Sequence, residues 1–128
     1  KKEIADVFKP GDHGSTFGGS CLAVAACAAT LSALVRGDYA DHAAKVGAYM
    51  EAKLTKLPHV VEVRGRGLML GCDLDDAARD AHDIVARALA TGAVINATGA
   101  HTLRFLPPLV CEEADVDSLI EILSDVLA

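Results

Sequence analysis

The chain has 128 residues and a mass of 13.3 kDa, with 12 Lys+Arg against 18 Asp+Glu and a net charge of −6. That length suits one small domain, able to bury roughly two thirds of its unfolded surface. A composition 52% hydrophobic and 23% charged, with 4 prolines and no low-complexity tract, excludes a disordered or collagen-like chain. A sequence pI near 5.2 and the absence of any basic run beyond Lys1-Lys2 argue against nucleic acid or an anionic membrane as a partner.

The chain opens KKEIADVFKPGDH, with Lys1 in place of a methionine and without the continuous apolar stretch of a secretory signal. Either an initiator was removed, or the chain is a piece of a longer protein. The 4 cysteines, Cys21, Cys27, Cys72 and Cys111, form no C-x-x-C pair. Each has apolar neighbours, which predicts buried, reduced thiols and a cytoplasmic setting.

From Cys21 to Val35 no residue is charged, and Ala and Leu dominate, so a helix is expected with Gly37 just beyond its end. It is too short to span a bilayer and apolar on every face, so part of it calls for a covering surface. Asp38, with Asp41 three residues on, reads as a capping-box-like start of a second helix. Its stripe is Ala43, Val46, Met50, Leu54 and Leu57, and Pro58 ends it. Two strands, about Val60–Arg64 and Leu68–Leu74, follow, joined through Gly65 and Gly67. A third helix is expected over about Asp76–Thr91, with Ala81, Ile84, Val85, Ala88 and Leu89 inward and Gly92 closing it. Ala93–Asn96 and Thr102–Leu106 read as two more strands, the last stopped by Pro107-Pro108. Glu112, Glu113 and Asp115 put negative charge on the first turn of a final helix, whose stripe is Val116, Leu119, Ile120, Leu123 and Val126. The order ααββαββα predicts an α+β fold: a short, mostly antiparallel sheet with helices packed on it.

The densest candidate for chemistry is Gly11-Asp12-His13-Gly14-Ser15-Thr16-Phe17-Gly18-Gly19, directly before the first helix. Hydroxyls beside free amides near a helix N-terminus suit a phosphate. The same residues also read as a flexible loop in which Thr16 or Ser20 merely caps the helix. It is not a Walker A loop, because no lysine follows the glycines. Arg104, inside the apolar run TLRFLPPL, is the second candidate. A guanidinium meets a carboxylate bidentately, and an unpaired charge among apolar residues is costly. The alternative is an outward-facing residue on a sheet edge. Arg64 and Arg66 read as exposed and structural, His13 as a turn residue, and His42, His59, His82 and His101 lack metal-ligand spacing.

Taken in order, HGSTFGG before an Ala-rich helix, RGRGLMLG and LRFLPPL resemble the C-terminal portion of acetylornithine aminotransferases, of the class III, fold-type-I transaminases. The resemblance runs from about Pro10 to the end. It implies the C-terminal small domain of that fold, with residues 1–19 as the tail of the large domain, 20–37 as a connecting helix and 38–128 as the small α+β domain. It further implies pyridoxal 5'-phosphate (PLP) as cofactor, with its phosphate held by Ser15 and Thr16 across a homodimer interface. Arg104 matches the arginine that holds the substrate α-carboxylate. The reaction implied is transfer of an amino group from N-acetylornithine to 2-oxoglutarate, in arginine biosynthesis. Ornithine or succinylornithine donors are the near alternatives, and a stand-alone, non-catalytic binding module is the distant one.

Two departures stand out. Ser20-Cys21 replace the usual Asn-Pro after the glycines, and no lysine sits in the context of the family's Schiff-base lysine, which lies upstream of HGSTFGG. The chain alone is expected to be inactive.

Overall fold

The computed structural model describes residues 1–128 and contains α1 (Lys2–Ala5), α2 (Cys21–Arg36), α3 (Tyr39–Leu54), β1 (Val60–Arg66), β2 (Met69–Leu74), α4 (Ala81–Ala90), β3 (Asn96–Ala97), β4 (Thr102–Phe105) and α5 (Glu113–Leu127). Two compact units result, Lys1–Gly37 and Asp38–Ala128. The class is α+β, as the periodicities imply, with α1 as an additional single turn at the start. No single helix is long and apolar enough to cross a membrane.

In the first unit, α2 forms where Ala and Leu favour it, and Ser20 caps it by accepting the Ala23 N–H at 3.3 Å. None of its residues is buried; Leu22 and Val35 are 82% and 84% exposed.

In the second unit, four strands pair entirely antiparallel in the order β1-β2-β4-β3. Alternation puts Leu70, Cys72, Leu103 and Phe105 on one buried face. Helices α3 and α4 lie on that face, and α5 packs against both of them. Val46, Met50 and Leu54 from α3, Ala81 and Ile84 from α4, and Val116, Leu123 and Val126 from α5 complete the core. Tyr49 donates its hydroxyl to Asp117 at 2.8 Å, and Lys53 reaches the same carboxylate at 2.9 Å, tying α3 to α5 at the surface.

The elements depart from expectation where side chains compete for backbone N–H groups. The third long helix begins at Ala81 rather than Asp76, because the Asp75 carboxylate accepts the amides of Ala77 and Ala78, each at 2.9 Å. Asp80 then caps the helix by accepting the His82 N–H at 2.8 Å. Leu89 faces outward at 59% exposure instead of inward. The expected strand Ala93–Asn96 is displaced to Asn96–Ala97, since the Ala93 amide is tied back to the Ala88 carbonyl at 2.8 Å. Asp38 has a left-handed backbone (φ 53°) and makes no side-chain cap on α3. The capping box belongs to α5 instead, where Glu112 and Asp115 satisfy each other's amides. Of the four cysteines only Cys72 and Cys111 are buried; Cys21 and Cys27, on α2, are exposed.

The glycines of the β1–β2 connection are structural. At Gly65, a Cβ would lie 2.0 Å from the Met69 carbonyl oxygen. A Cβ on Gly47, in α3, would lie 2.1 Å from the Gly67 carbonyl oxygen, so helix and hairpin touch backbone to backbone.

Two outcomes follow from this core. Gly47→Ala should destabilise the fold by roughly 3 kcal/mol, at the upper end of overpacking costs because backbone has to move, as read from urea unfolding midpoints. Burial pushes the Cys72 thiol up to about 12 and raises that of Cys111 as well. Iodoacetamide at pH 8 should therefore modify Cys21 and Cys27 in the folded chain and spare Cys72 and Cys111 until denaturant is added. Peptide mass mapping reads the difference, and early alkylation of Cys72 would contradict the packing.

Candidate functional site

In the Gly11–Gly19 segment the backbone takes φ of 101° at Gly11 and 75° at Gly19, a conformation that glycine adopts without strain. Ser15 Oγ accepts the Gly18 N–H at 2.9 Å, which fixes the turn and leaves the serine's own O–H free to donate. The Thr16 hydroxyl has no partner in the chain, and neither do the amides of Thr16, Phe17 and Gly19. Of the two capping candidates, Ser20 performs that task, so Thr16 is not consumed by it. Free hydroxyls and free amides clustered before a helix N-terminus are the donor set that a phosphate's oxygens require. The segment is exposed throughout, and its neighbouring charges are engaged locally: Asp12 accepts the Lys9 N–H at 2.7 Å and Lys9 Nζ donates to the Asp6 carbonyl at 3.1 Å. The His13 ring packs edge-on against Phe8, with centroids 5.4 Å apart.

Arg104 lies at the middle of β4, between the buried Leu103 and Phe105, and is itself exposed. Register places it opposite Gly71 of β2 on one side and Asn96 of β3 on the other. It is thus outward-facing, yet on an inner strand rather than a sheet edge. No carboxylate of the chain pairs with it.

Its neighbour Arg64, by contrast, is consumed. Arg64 forms an ion pair with Asp73, whose other oxygen accepts the Thr102 hydroxyl at 2.7 Å. The Arg64 guanidinium first, and then Thr102, hold the Asp73 carboxyl below the usual carboxylate range. Arg66 is exposed and unpaired. A groove of about 640 Å³ runs along the β3–β4 end of the sheet and the start of α5, and its wall includes Asn96, Arg104, Leu106, Val110 and Asp115. The Asp115 carboxylate accepts the Glu112 N–H at 2.9 Å.

Ser15 and Thr16 therefore sit side by side in the Lys1–Gly37 unit, while Arg104 belongs to the Asp38–Ala128 unit. Two histidines have structural partners: His42 Nε2 lies 2.8 Å from the Cys111 carbonyl oxygen and His59 Nδ1 lies 3.0 Å from Asp75. Sequence reasoning missed the Asp73–Arg64 pair, the groove and the placement of Asn96 beside Arg104. Alternation within TLRF could have put Arg104 on the open face, but no local pattern identifies the cross-strand neighbours.

Comparison with known proteins agrees with the motif reading. A family model described as aminotransferase class-III matches residues 1–127. The acetylornithine aminotransferase of Caldanaerobacter subterraneus is 44% identical over 131 residues, covering 99% of this chain and 33% of that protein. The acetylornithine aminotransferase of Aquifex aeolicus is 40% identical over 127 residues, covering 99% of this chain and 32% of its own length. Among solved structures, an ornithine aminotransferase from Toxoplasma gondii superposes with a TM-score of 0.80 at 34% identity, covering 98% of this chain and 30% of that one. In that structure PLP partially occupies the active site. The acetylornithine aminotransferase from Elizabethkingia anophelis gives 0.80 at 28% identity, covering 99% and 35%. The chain spans about a third of the length of the curated relatives it matches. With nearly its whole length matched to one family model, the chain belongs to the class-III aminotransferases.

Proposed function

We propose that this chain serves in a PLP-dependent transaminase that moves an amino group from N-acetylornithine to 2-oxoglutarate, in arginine biosynthesis, as a cytoplasmic homodimer. The observation that carries the reading is Arg104: a cation fixed on an inner strand, exposed, and left without a counter-charge while the neighbouring Arg64 is neutralised. Such a residue is prepared for a carboxylate from outside the chain, and its planar fork takes both oxygens at once.

Ser15 and Thr16 would hold the cofactor phosphate, donating from their hydroxyls and from the free amides around them. Bound there, PLP would supply an electron sink for the amine-bearing carbon, Cδ in N-acetylornithine, whose α-amine is acylated, and Cα in glutamate. The role of this chain's residues is to anchor and to orient. The loop donors would fix the phosphate, and Arg104 would hold the substrate's α-carboxylate, which orients the amine- or oxo-bearing carbon. In this reading residues 1–19 end the large domain, 20–37 connect, and 38–128 form the small domain. The apolar, uncovered α2 is supported as a buried element of the complete dimer.

In this reading the lysine such chemistry needs is not among these residues. A reactive lysine has its pKa lowered, whereas the hydrogen bonds of Lys53 to Asp117 and then Tyr49 raise it. The covalent anchor would come from outside this chain. A second reading, ornithine as the amine donor, is favoured by the ornithine aminotransferases among the structural neighbours, with TM-scores of 0.80 and 0.82.

The complete enzyme, assayed for glutamate formation with N-acetylornithine, succinylornithine and ornithine, should give its highest kcat/KM with N-acetylornithine. Ornithine as the preferred donor would establish the second reading instead. Arg104→Ala should lower kcat/KM by roughly 100-fold and Thr16→Ala should weaken PLP binding roughly tenfold, as losses of charge-assisted hydrogen bonds imply.

A further inference from the structure

The RGRGLMLG segment contains three glycines, and the fold accounts for two of them. Gly65 and Gly67 have φ of 150° and 56°, and Gly65 also has no room for a Cβ. Gly71 has neither property. Its backbone lies outside the left-handed region, and a Cβ there would make ordinary contacts with Arg64, its carbonyl oxygen at 3.8 Å and its side-chain Cγ and Cζ at 3.9 and 4.0 Å, with nothing from the Arg104 side closer than these. A glycine inside a strand weakens it, and where packing does not demand it, it marks a place where something else approaches the backbone.

Gly71 pairs with Arg64 on one side and Arg104 on the other, and Arg104 pairs with Asn96. All four residues occupy the sheet face opposite the core. Asn96 is exposed, and its carboxamide has no hydrogen-bond partner in the chain. Directly opposed residues of an antiparallel pair have Cβ atoms about 5 Å apart, so its amide lies within reach of a carboxylate seated on the Arg104 guanidinium.

We propose that Asn96 is a second carboxylate-binding residue, donating its side-chain N–H to an oxygen of the acid gripped by Arg104, and that the bare backbone at Gly71 keeps the other side of that seat open. The proposal rests on the reading of Arg104 as the substrate-carboxylate ligand. The two side chains differ in kind: Arg104 supplies charge and a bidentate fork, while Asn96 supplies a neutral donor from a neighbouring strand. The ligand class is an amino or 2-oxo acid whose carboxylate lies against the sheet.

The test uses the complete enzyme and glutarate, a dicarboxylate that lacks the oxo group and cannot react, as a competitor of 2-oxoglutarate. Asn96→Ala should raise the glutarate Ki and the 2-oxoglutarate KM about tenfold, with most of the effect in KM rather than kcat. Asn96→Asp should raise both further, because a carboxylate there repels the ligand. Gly71→Val, a residue that suits a strand, should raise the Ki with the melting temperature maintained. An unchanged Ki in Asn96→Ala and Asn96→Asp overturns the proposal whatever Gly71→Val does. Arg104→Ala separates the two levels. If it raises the Ki by roughly 100-fold while the Asn96 variants do not, Asn96 alone is misassigned. If it too leaves the Ki unchanged, the reading of Arg104 itself fails.

Discussion

A sheet covered on one face only is the constraint on which the second unit depends. Leu70, Cys72, Leu103 and Phe105 must all reach the helical side, so the register between β2 and β4 has no freedom to slip. A shift of one residue would bury Arg104 and expose Leu103. The backbone contact between Gly47 and Gly67 seats α3 on the hairpin that begins this sheet, which leaves the hairpin little latitude either. The core thereby fixes the position of Arg104, which like Thr102 takes no part in it.

The same arrangement decides which arginine is available. Arg64, Arg66 and Arg104 all sit on the open face of the sheet. Asp73 lies beside Arg64 and is itself oriented by Thr102, so that pair is internally satisfied. An exposed ion pair of this kind contributes little to stability. Its consequence here is to remove one guanidinium from competition for an incoming acid; Arg66 and Arg104 stay unpaired, and of the two only Arg104 is on an inner strand. In the first unit the division is similar, since Ser20 caps α2 and thereby spares Thr16 and the amides around it. Thr16 and Arg104 are thus unoccupied within the chain, while Ser15, which accepts the Gly18 N–H, keeps its own O–H to donate.

Long periodic elements were legible in the sequence. The stripes Val46-Met50-Leu54 and Val116-Leu123-Val126 are set by spacing alone, and both lie in the core. Errors arose where a short side chain diverted the backbone. Asp75 takes two amides that a helix beginning at Asp76 would have used, and the left-handed Asp38 is no cap at all. The cysteines misled for another reason: apolar neighbours in sequence signify burial only where the element is covered, and α2 is not. Ser15, Thr16 and Arg104 could be singled out because their motifs are local. Asn96 could not, because its relation to Arg104 exists only across β3 and β4, and β3 is a two-residue strand that sequence patterning misplaced.

That the loop donors and the carboxylate arginine belong to one site, assembled from two copies of the protein, is the proposal with the widest consequences. Complementation between inactive subunits tests it directly. One copy of the complete enzyme carries Ser15→Ala and Thr16→Ala, the other carries Arg104→Ala, and the purified mixed dimer is assayed beside each parent dimer. If the loop serves the neighbouring subunit's cofactor, one of the two symmetry-related sites in the mixed dimer is intact, and activity returns to about half of the unmodified enzyme. A mixed dimer as inactive as its parents would place loop and arginine in the same subunit's site and contradict the shared arrangement.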